Sequence, residues 1–170
     1  DLVANKISAR GLVRSPSRAP LLSGVDLLYG HRTDESAIRV AMDGIDAVVH
    51  LAARVHVMRD TSTDPLAEFR RVNVAGTRTL ATIQRDAGVK HIVFASSVKA
   101  VGETSTAPWN SATPPHPVDA YGASKLEAEQ LLLAMQSREG PRVTVLRFPL
   151  LYGPGMKGNM LRLFRIVSRG

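Results

Sequence analysis

His91-Ile92-Val93-Phe94-Ala95-Ser96-Ser97 is an apolar strand that delivers two hydroxyls at its end, and Tyr121-Gly122-Ala123-Ser124-Lys125 follows it downstream. Tyr121 and Lys125 stand at i and i+4, so on a helix they share a face. An ammonium close to a phenol favours the phenolate and pulls the tyrosine pKa from about 10 toward working pH. A tyrosine tuned in this way takes a proton from a sugar-type hydroxyl or returns one to a ketone. Ser97 would hydrogen-bond the same substrate oxygen and hold it in place. Tyr-x-x-x-Lys by itself is a common coincidence, and the preceding strand ending in Ser96-Ser97 is what gives it weight.

Outward from this stretch, elements alternate. Ala47 to Ala53 is a strand apolar on both faces, as a central parallel strand should be, with two small residues at its carboxyl end. Asp64-Pro65 caps and opens a long helix carrying Leu66, Phe69, Val72, Leu80 and Ile83 at helical spacing. Gly76 interrupts that helix at an expected close-packing point, and Gly88 ends it. Residues 98–120 form a long Pro/Ser/Thr/Gly-rich loop, a feature that is usually functional. The Tyr121 helix runs to about Arg138, packing through Leu126, Leu131, Leu132 and Met135. Val143 to Phe148 is the next strand; the Gly/Pro loop from Pro149 and an amphipathic segment from Asn159 to Val167 follow it.

Toward the start, Ala9 to Val13 and Val25 to Tyr29 read as short strands, the first stopped by Ser15-Pro16-Ser17. A helix opens at Asp34-Glu35-Ser36 and runs to Met42. Asp1 to Ala4 resembles the end of a helix whose beginning is absent. Strands alternating with helices predict an α/β fold, a doubly wound parallel sheet with helices on both faces, over residues 1–170. Ligands of such sheets bind at the carboxyl ends of the strands, where Ala52-Ala53, Ser96-Ser97 and Phe148 with the Pro149 loop all fall.

Composition narrows the classes. The 170 residues are 44% hydrophobic, enough for a sizeable core. The absence of cysteine removes disulfides and thiolate metal sites and makes a reducing cytoplasm the simplest home. His56, His91 and His116 lack ligand-like spacing, so no metal site is expected, and His50 reads as a buried strand histidine. No apolar run of about 18 residues exists to span a membrane. The net charge is +7, but the arginines are mostly dispersed and aromatics are only 5%, unlike a nucleic-acid-binding stripe. A basic surface that attracts phosphorylated ligands fits better.

In order and spacing, His50-Leu51-Ala52-Ala53, Val72-Asn73-Val74-x-Gly76-Thr77, Phe94-Ala95-Ser96-Ser97, Tyr121-x-x-x-Lys125, Leu146-Arg147 and Tyr152-Gly153-Pro154-Gly155 resemble the extended short-chain dehydrogenase/reductases. Among these, the chain is similar to the NAD-dependent epimerase/dehydratase family that handles nucleotide sugars. The stretches Val55-His56-Val57-Met58-Arg59-Asp60 and Lys157-Gly158-Asn159 look like a bacterial UDP-sugar 4-epimerase or 4-ketoreductase of surface-polysaccharide synthesis.

The resemblance implies a Rossmann fold that binds NAD or NADP and a nucleotide-sugar substrate, as a homodimer when full length. It makes Tyr121 the catalytic base and acid, with Lys125 lowering its pKa and holding the nicotinamide ribose. Ser97 binds the substrate oxygen and Ser96 lines the nicotinamide side. Leu51, Ala52 and Ala53 lie against the cofactor ribose and pyrophosphate, and Phe148 and Pro149 pack by the nicotinamide. Asn159 contacts the diphosphate of the sugar nucleotide. Asn73, on the cofactor side, either makes a structural or water-mediated link near the active site or bonds its own helical turn. Arg14 either faces the adenosine ribose, where it favours a 2′-phosphate, or is a surface arginine.

Some family features are missing or altered. No Gly-x-x-Gly-x-x-Gly follows a strand here, and the family places that phosphate loop before the point where this chain starts. His31 stands where an Asp usually bonds adenine, and Leu150 where many members have a substrate-binding Asn. The expectation is therefore an internal piece of a longer enzyme, inactive alone and lacking the first strand and most of the C-terminal substrate lobe. That strand would sit between the Leu12 and Val48 strands, so two interior edges would lose their partner. Alternatives are an NADP-dependent carbonyl reductase, a sugar dehydratase using Glu103 or Asp119, and a non-catalytic nucleotide-sensing or truncated scaffold protein.

Overall fold

The computed structural model describes residues 5–15, 24–31, 33–55, 62–136, 140–153 and 159–168. Five parallel strands form two sheets: β1 (Ala9–Val13) pairs with β2 (Val25–Tyr29), and β3 (Ala47–His50), β4 (His91–Ser97) and β5 (Arg142–Phe148) pair in the order β3-β4-β5. The break falls between the Leu12 strand and the Val48 strand, where a lost strand was expected. Among the described residues, neither β1 nor β3 has a second strand partner.

The helices are α1 (Glu35–Met42), α2 (Pro65–Phe69), α3 (Gly76–Asp86), α4 (Ala120–Met135) and α5 (Asn159–Val167). Asp34, Asp64 and Asp119 cap α1, α2 and α4, each carboxylate accepting a backbone N–H of the first turn. Gly88, at φ +72°, turns the chain after α3, as a glycine in the left-handed region can. No described helix is long and apolar enough to cross a membrane.

Two expectations need correction, and one falls outside the described residues. The strand expected to reach Ala53 stops at His50, and residues 51–55 are irregular. The long helix is not interrupted at Gly76; a π-helical segment, Arg70–Ala75, precedes that residue and joins α2 to α3. A methyl group at Gly76 would meet nothing within 4 Å, so no close approach requires glycine there. The Tyr121 helix is described to Met135, and the expected end at Arg138 lies outside the described residues. So do Asp1 to Ala4, Pro16-Ser17, Arg32, His56 to Asp60 and Pro154 to Gly158.

Strand alternation sets the core. Ile92, Phe94 and Ser96 face inward on β4, while Val93, Ala95 and Ser97 take the other side. Ile92 and Phe94 pack with Ala81 of α3 and with Ala128 and Leu132 of α4. A second cluster, Ile38, Met42, Ile83 and Val89, with Leu12 and Val48 against it, ties α1 and β1 to α3 and β3. The two clusters share Leu80, so α3 holds both sheets. The opposite face, through Val49 and Leu146, is exposed.

Candidate active site

The site begins where β4 ends. Ser97 Oγ accepts the Lys99 N–H at 3.2 Å, starting a short 3-10 turn over Val98–Ala100. Across from this turn α4 begins: Asp119 Oδ1 accepts the Gly122 N–H at 2.6 Å. Lys99 Nζ ties the two together, donating to Asp119 at 2.7 Å and to Glu103 at 2.6 Å. Tyr121 thereby comes up beside Ser97, whose hydroxyl favours the phenolate, and its ring packs on Phe69 at 5.9 Å between centroids.

Lys125 is buried beneath them. Its Nζ donates to the Ala95 carbonyl at 2.6 Å and lies 4.0 Å from the centre of the Phe94 ring. Burial lowers its pKa to about 8, with the Glu129 carboxylate opposing the fall. The Tyr121 phenol moves the other way from the tuning expected of Lys125. It lies above its ordinary value because burial penalises the phenolate; the Ser97 hydroxyl opposes this, the Asp119 charge adds to it, and the Lys99 charge opposes it. Of the two lysines it is Lys99 whose charge acts on the phenol, while the Lys125 ammonium bonds the strand carbonyl.

Ser96 takes a different place from the nicotinamide-lining one expected. Successive strand residues point to opposite faces, so Ser96 turns inward when Ser97 turns out. Its hydroxyl donates to the Glu129 carboxylate, which also accepts Arg147 Nε at 3.1 Å and Nη2 at 2.7 Å. Glu129 is missing from the sequence-derived site, although it follows Lys125 by one turn on the same helix face. Lys99 is the other omission, and only its spacing to Glu103 hinted at an ion pair.

Asn73, on the π-helical segment, does not bond its own turn through its side chain. Oδ1 accepts the Arg54 N–H at 2.7 Å; Nδ2 donates to the Arg54 carbonyl at 3.0 Å and to Ser124 Oγ at 2.9 Å. It clamps the loop after β3 to α4, a structural link beside the helix that carries Tyr121 and Lys125, as one of its two expected roles had it. The Asn73→Ala variant should lose about 1–3 kcal/mol of stability, because buried backbone and hydroxyl groups lose their partners. Urea unfolding of the variant beside the parent checks this. His50 is likewise structural: buried beside Phe94, it shares a 2.9 Å hydrogen bond with Thr77, and burial lowers its pKa to about 4.

The remaining expected residues sit at strand carboxyl ends. Leu51 and Ala52 are exposed and Ala53 half-buried after β3; Phe148 is half-buried and Pro149 exposed at the end of β5; Arg14 is exposed after β1. Asn159 opens α5, and its side chain lies outside the described residues. Small residues, a half-buried aromatic ring, a hydroxyl pair and an ammonium suit the nicotinamide and ribose of a dinucleotide. A backbone cradle for its pyrophosphate is not among them, since no glycine-rich loop follows a strand. Glu103 and Asp119, the carboxylates a dehydratase would use, are both held by Lys99.

Comparison with known proteins gives the family. The sequence profile of the NAD dependent epimerase/dehydratase family matches residues 2–169. A UDP-glucose 4-epimerase of Vibrio cholerae is 44% identical over 163 residues, which cover 94% of this chain and 50% of that protein. A 3 beta-hydroxysteroid dehydrogenase/Delta 5-->4-isomerase of Mycobacterium tuberculosis (strain CDC 1551 / Oshkosh) is 30% identical over 168 residues, covering 95% and 45%. Among solved structures, MoeE5 in complex with UDP-glucuronic acid and NAD superposes with a TM-score of 0.81 at 30% identity, covering 96% of this chain and 54% of that one. The UDP-N-acetylglucosamine 4-epimerase from Bacillus cereus gives 0.80 at 27% identity, covering 99% and 56%. The chain spans about half the length of these relatives.

Proposed function

Because this chain belongs to the NAD dependent epimerase/dehydratase family, we propose that its residues are the cofactor-side half of a nucleotide-sugar 4-epimerase or a related oxidoreductase. The observation that carries the reading is the approach of the Tyr121 phenol to Ser97 at the carboxyl end of β4, with Lys125 one turn along the same helix. The similarity to a UDP-glucose 4-epimerase supports a UDP-sugar as substrate. The Lys99 ion pairs disfavour the dehydratase alternative, since they occupy both carboxylates that it would need.

In this reading, Ser97 holds the sugar hydroxyl oxygen beside Tyr121 Oη. Tyr121 takes the hydroxyl proton as the carbonyl forms and returns it when the carbonyl is reduced. Lys125 supplies positive charge beneath the pair and a donor for the ribose hydroxyls. Leu51, Ala52 and Ala53 lie against the cofactor ribose and pyrophosphate, and Phe148 packs by the nicotinamide. A bound NAD supplies hydride acceptance and return, chemistry that no side chain here can perform.

The test is titration of the protein with NADH and with NADPH, followed by nicotinamide fluorescence, then incubation with UDP-glucose and assay for UDP-galactose. The expected result is NADH binding and interconversion of the two sugars. Preference for NADPH would assign Arg14 to a 2′-phosphate. Binding of neither dinucleotide to the full-length protein would overturn the reading.

A further inference from the structure

The buried set behind the proposed proton-transfer pair has a charge arrangement that the pair itself does not explain. Glu129 is 1% exposed, yet its carboxylate is met by the guanidinium of another element and has a second cation on its own helix. Arg147 on β5 reaches it with two nitrogens, and Lys125 stands one turn away on α4. The other contact is the Ser96 hydroxyl at the end of β4. A buried carboxylate without such partners would take up a proton, and a buried guanidinium without a carboxylate would keep its charge at high cost, since arginine does not deprotonate.

We propose that Glu129 is a positioning residue: its one buried carboxylate is the shared counter-ion that neutralises Arg147, anchors Ser96 and keeps the Lys125 ammonium charged one turn away. The inference rests on Tyr121 and Lys125 being the proton-transfer pair. The carboxylate locks the carboxyl ends of β4 and β5 to the helix that carries both groups. It also balances charge. With Glu129 intact, one anion and two cations share the site, and both cations stay charged. Without it, the half-buried Arg147 guanidinium and the buried Lys125 ammonium lose their shared anion, and only Lys125 can respond by losing its proton.

The groups facing Lys125 define what else could set its charge. β3 brings His50, which the lysine charge helps keep neutral. β4 brings the Ala95 carbonyl and the Phe94 ring. α4 itself carries Tyr121 and Glu129, and β5 brings Arg147 to the Glu129 carboxylate. Glu129 is the one carboxylate among these groups.

The experiment is NMR titration of Lys125 in the full chain labelled at lysine, with its signal assigned by loss in Lys125→Met. Glu129→Gln should lower the proton affinity of Lys125 about tenfold or more, and Glu129→Asp should restore most of it. Arg147→Met should act in the opposite direction, raising that affinity, because the carboxylate then serves Lys125 alone. This second variant keeps the proposal testable if Glu129→Gln does not fold. An unmoved Lys125 midpoint in a folded Glu129→Gln, or in Arg147→Met, overturns the proposal. The readout needs no turnover, so its failure is distinct from a failure to bind NADH or convert UDP-glucose.

Discussion

Gly122→Ala is expected to cripple folding, whereas Gly76→Ala, in the helix just before it in the chain, is expected to stabilise. Both glycines are helical, and propensity alone would make either substitution favourable by about 1 kcal/mol. Their surroundings decide the sign. A Cβ at Gly122 would fall on the Lys99 carbonyl, with the carbonyl carbon 2.9 Å away and the Asp119 cap oxygen at 3.1 Å. These neighbours are backbone and a capping carboxylate already fixed by Lys99. Neither can turn aside as a flexible side-chain end would. The first turn of α4 must therefore lift off the 3-10 turn, losing the Asp119 cap and separating Tyr121 from Ser97. Overpacking of this kind costs about 1–3 kcal/mol, and loss of the cap about 1 more. Thermal melting of the two variants beside the parent checks the pair: Gly122→Ala should melt lower and Gly76→Ala higher. Equal melting temperatures would show that α4 does not rest on the Lys99 carbonyl.

That contrast also marks where the sequence was readable. Tyr121-Gly122-Ala123-Ser124-Lys125 named the helix and its chemistry, because capping and i, i+4 spacing are local. β1, β2 and α1 were legible for the same reason: short apolar runs and an Asp cap need only their neighbours. What Gly76 and Gly122 touch is not local, and the packing role went to the wrong glycine. The π-helical segment was hidden because its extra residue leaves the apolar spacing of Phe69, Val72 and Leu80 nearly unchanged. Ser96 was misplaced although strand alternation sends it to the opposite face from Ser97; the resemblance drew both hydroxyls toward the ligand. Glu129 could have been found from its spacing to Lys125, but its partners Arg147 and Ser96 come from two other strands, and only the fold joins them.

Tyr121→Phe is expected to lower turnover by about 10²–10⁴-fold while leaving dinucleotide binding nearly intact, since only the hydroxyl is removed. The phenyl ring keeps its packing on Phe69, so melting should hardly change. The pH dependence makes the assignment sharper. Burial holds the phenol above its ordinary value, so at neutral pH only a small fraction is phenolate, and that fraction grows tenfold per pH step. Lys125, lowered to about 8, begins to lose its charge as pH rises through that value. If catalysis needs the phenolate above a charged lysine, the two trends oppose each other above pH 8. Turnover should climb with unit slope to about pH 8 and then level off as each further gain in phenolate is matched by a loss of ammonium. The rising limb should vanish in Tyr121→Phe, because the group that titrates along it is gone. Lysine charge has the reverse influence on the plateau: Glu129→Gln, by weakening the hold of Lys125 on its proton, should bring the levelling to lower pH. A profile that still climbs in the phenylalanine variant would assign the base to another group and leave Tyr121 as packing.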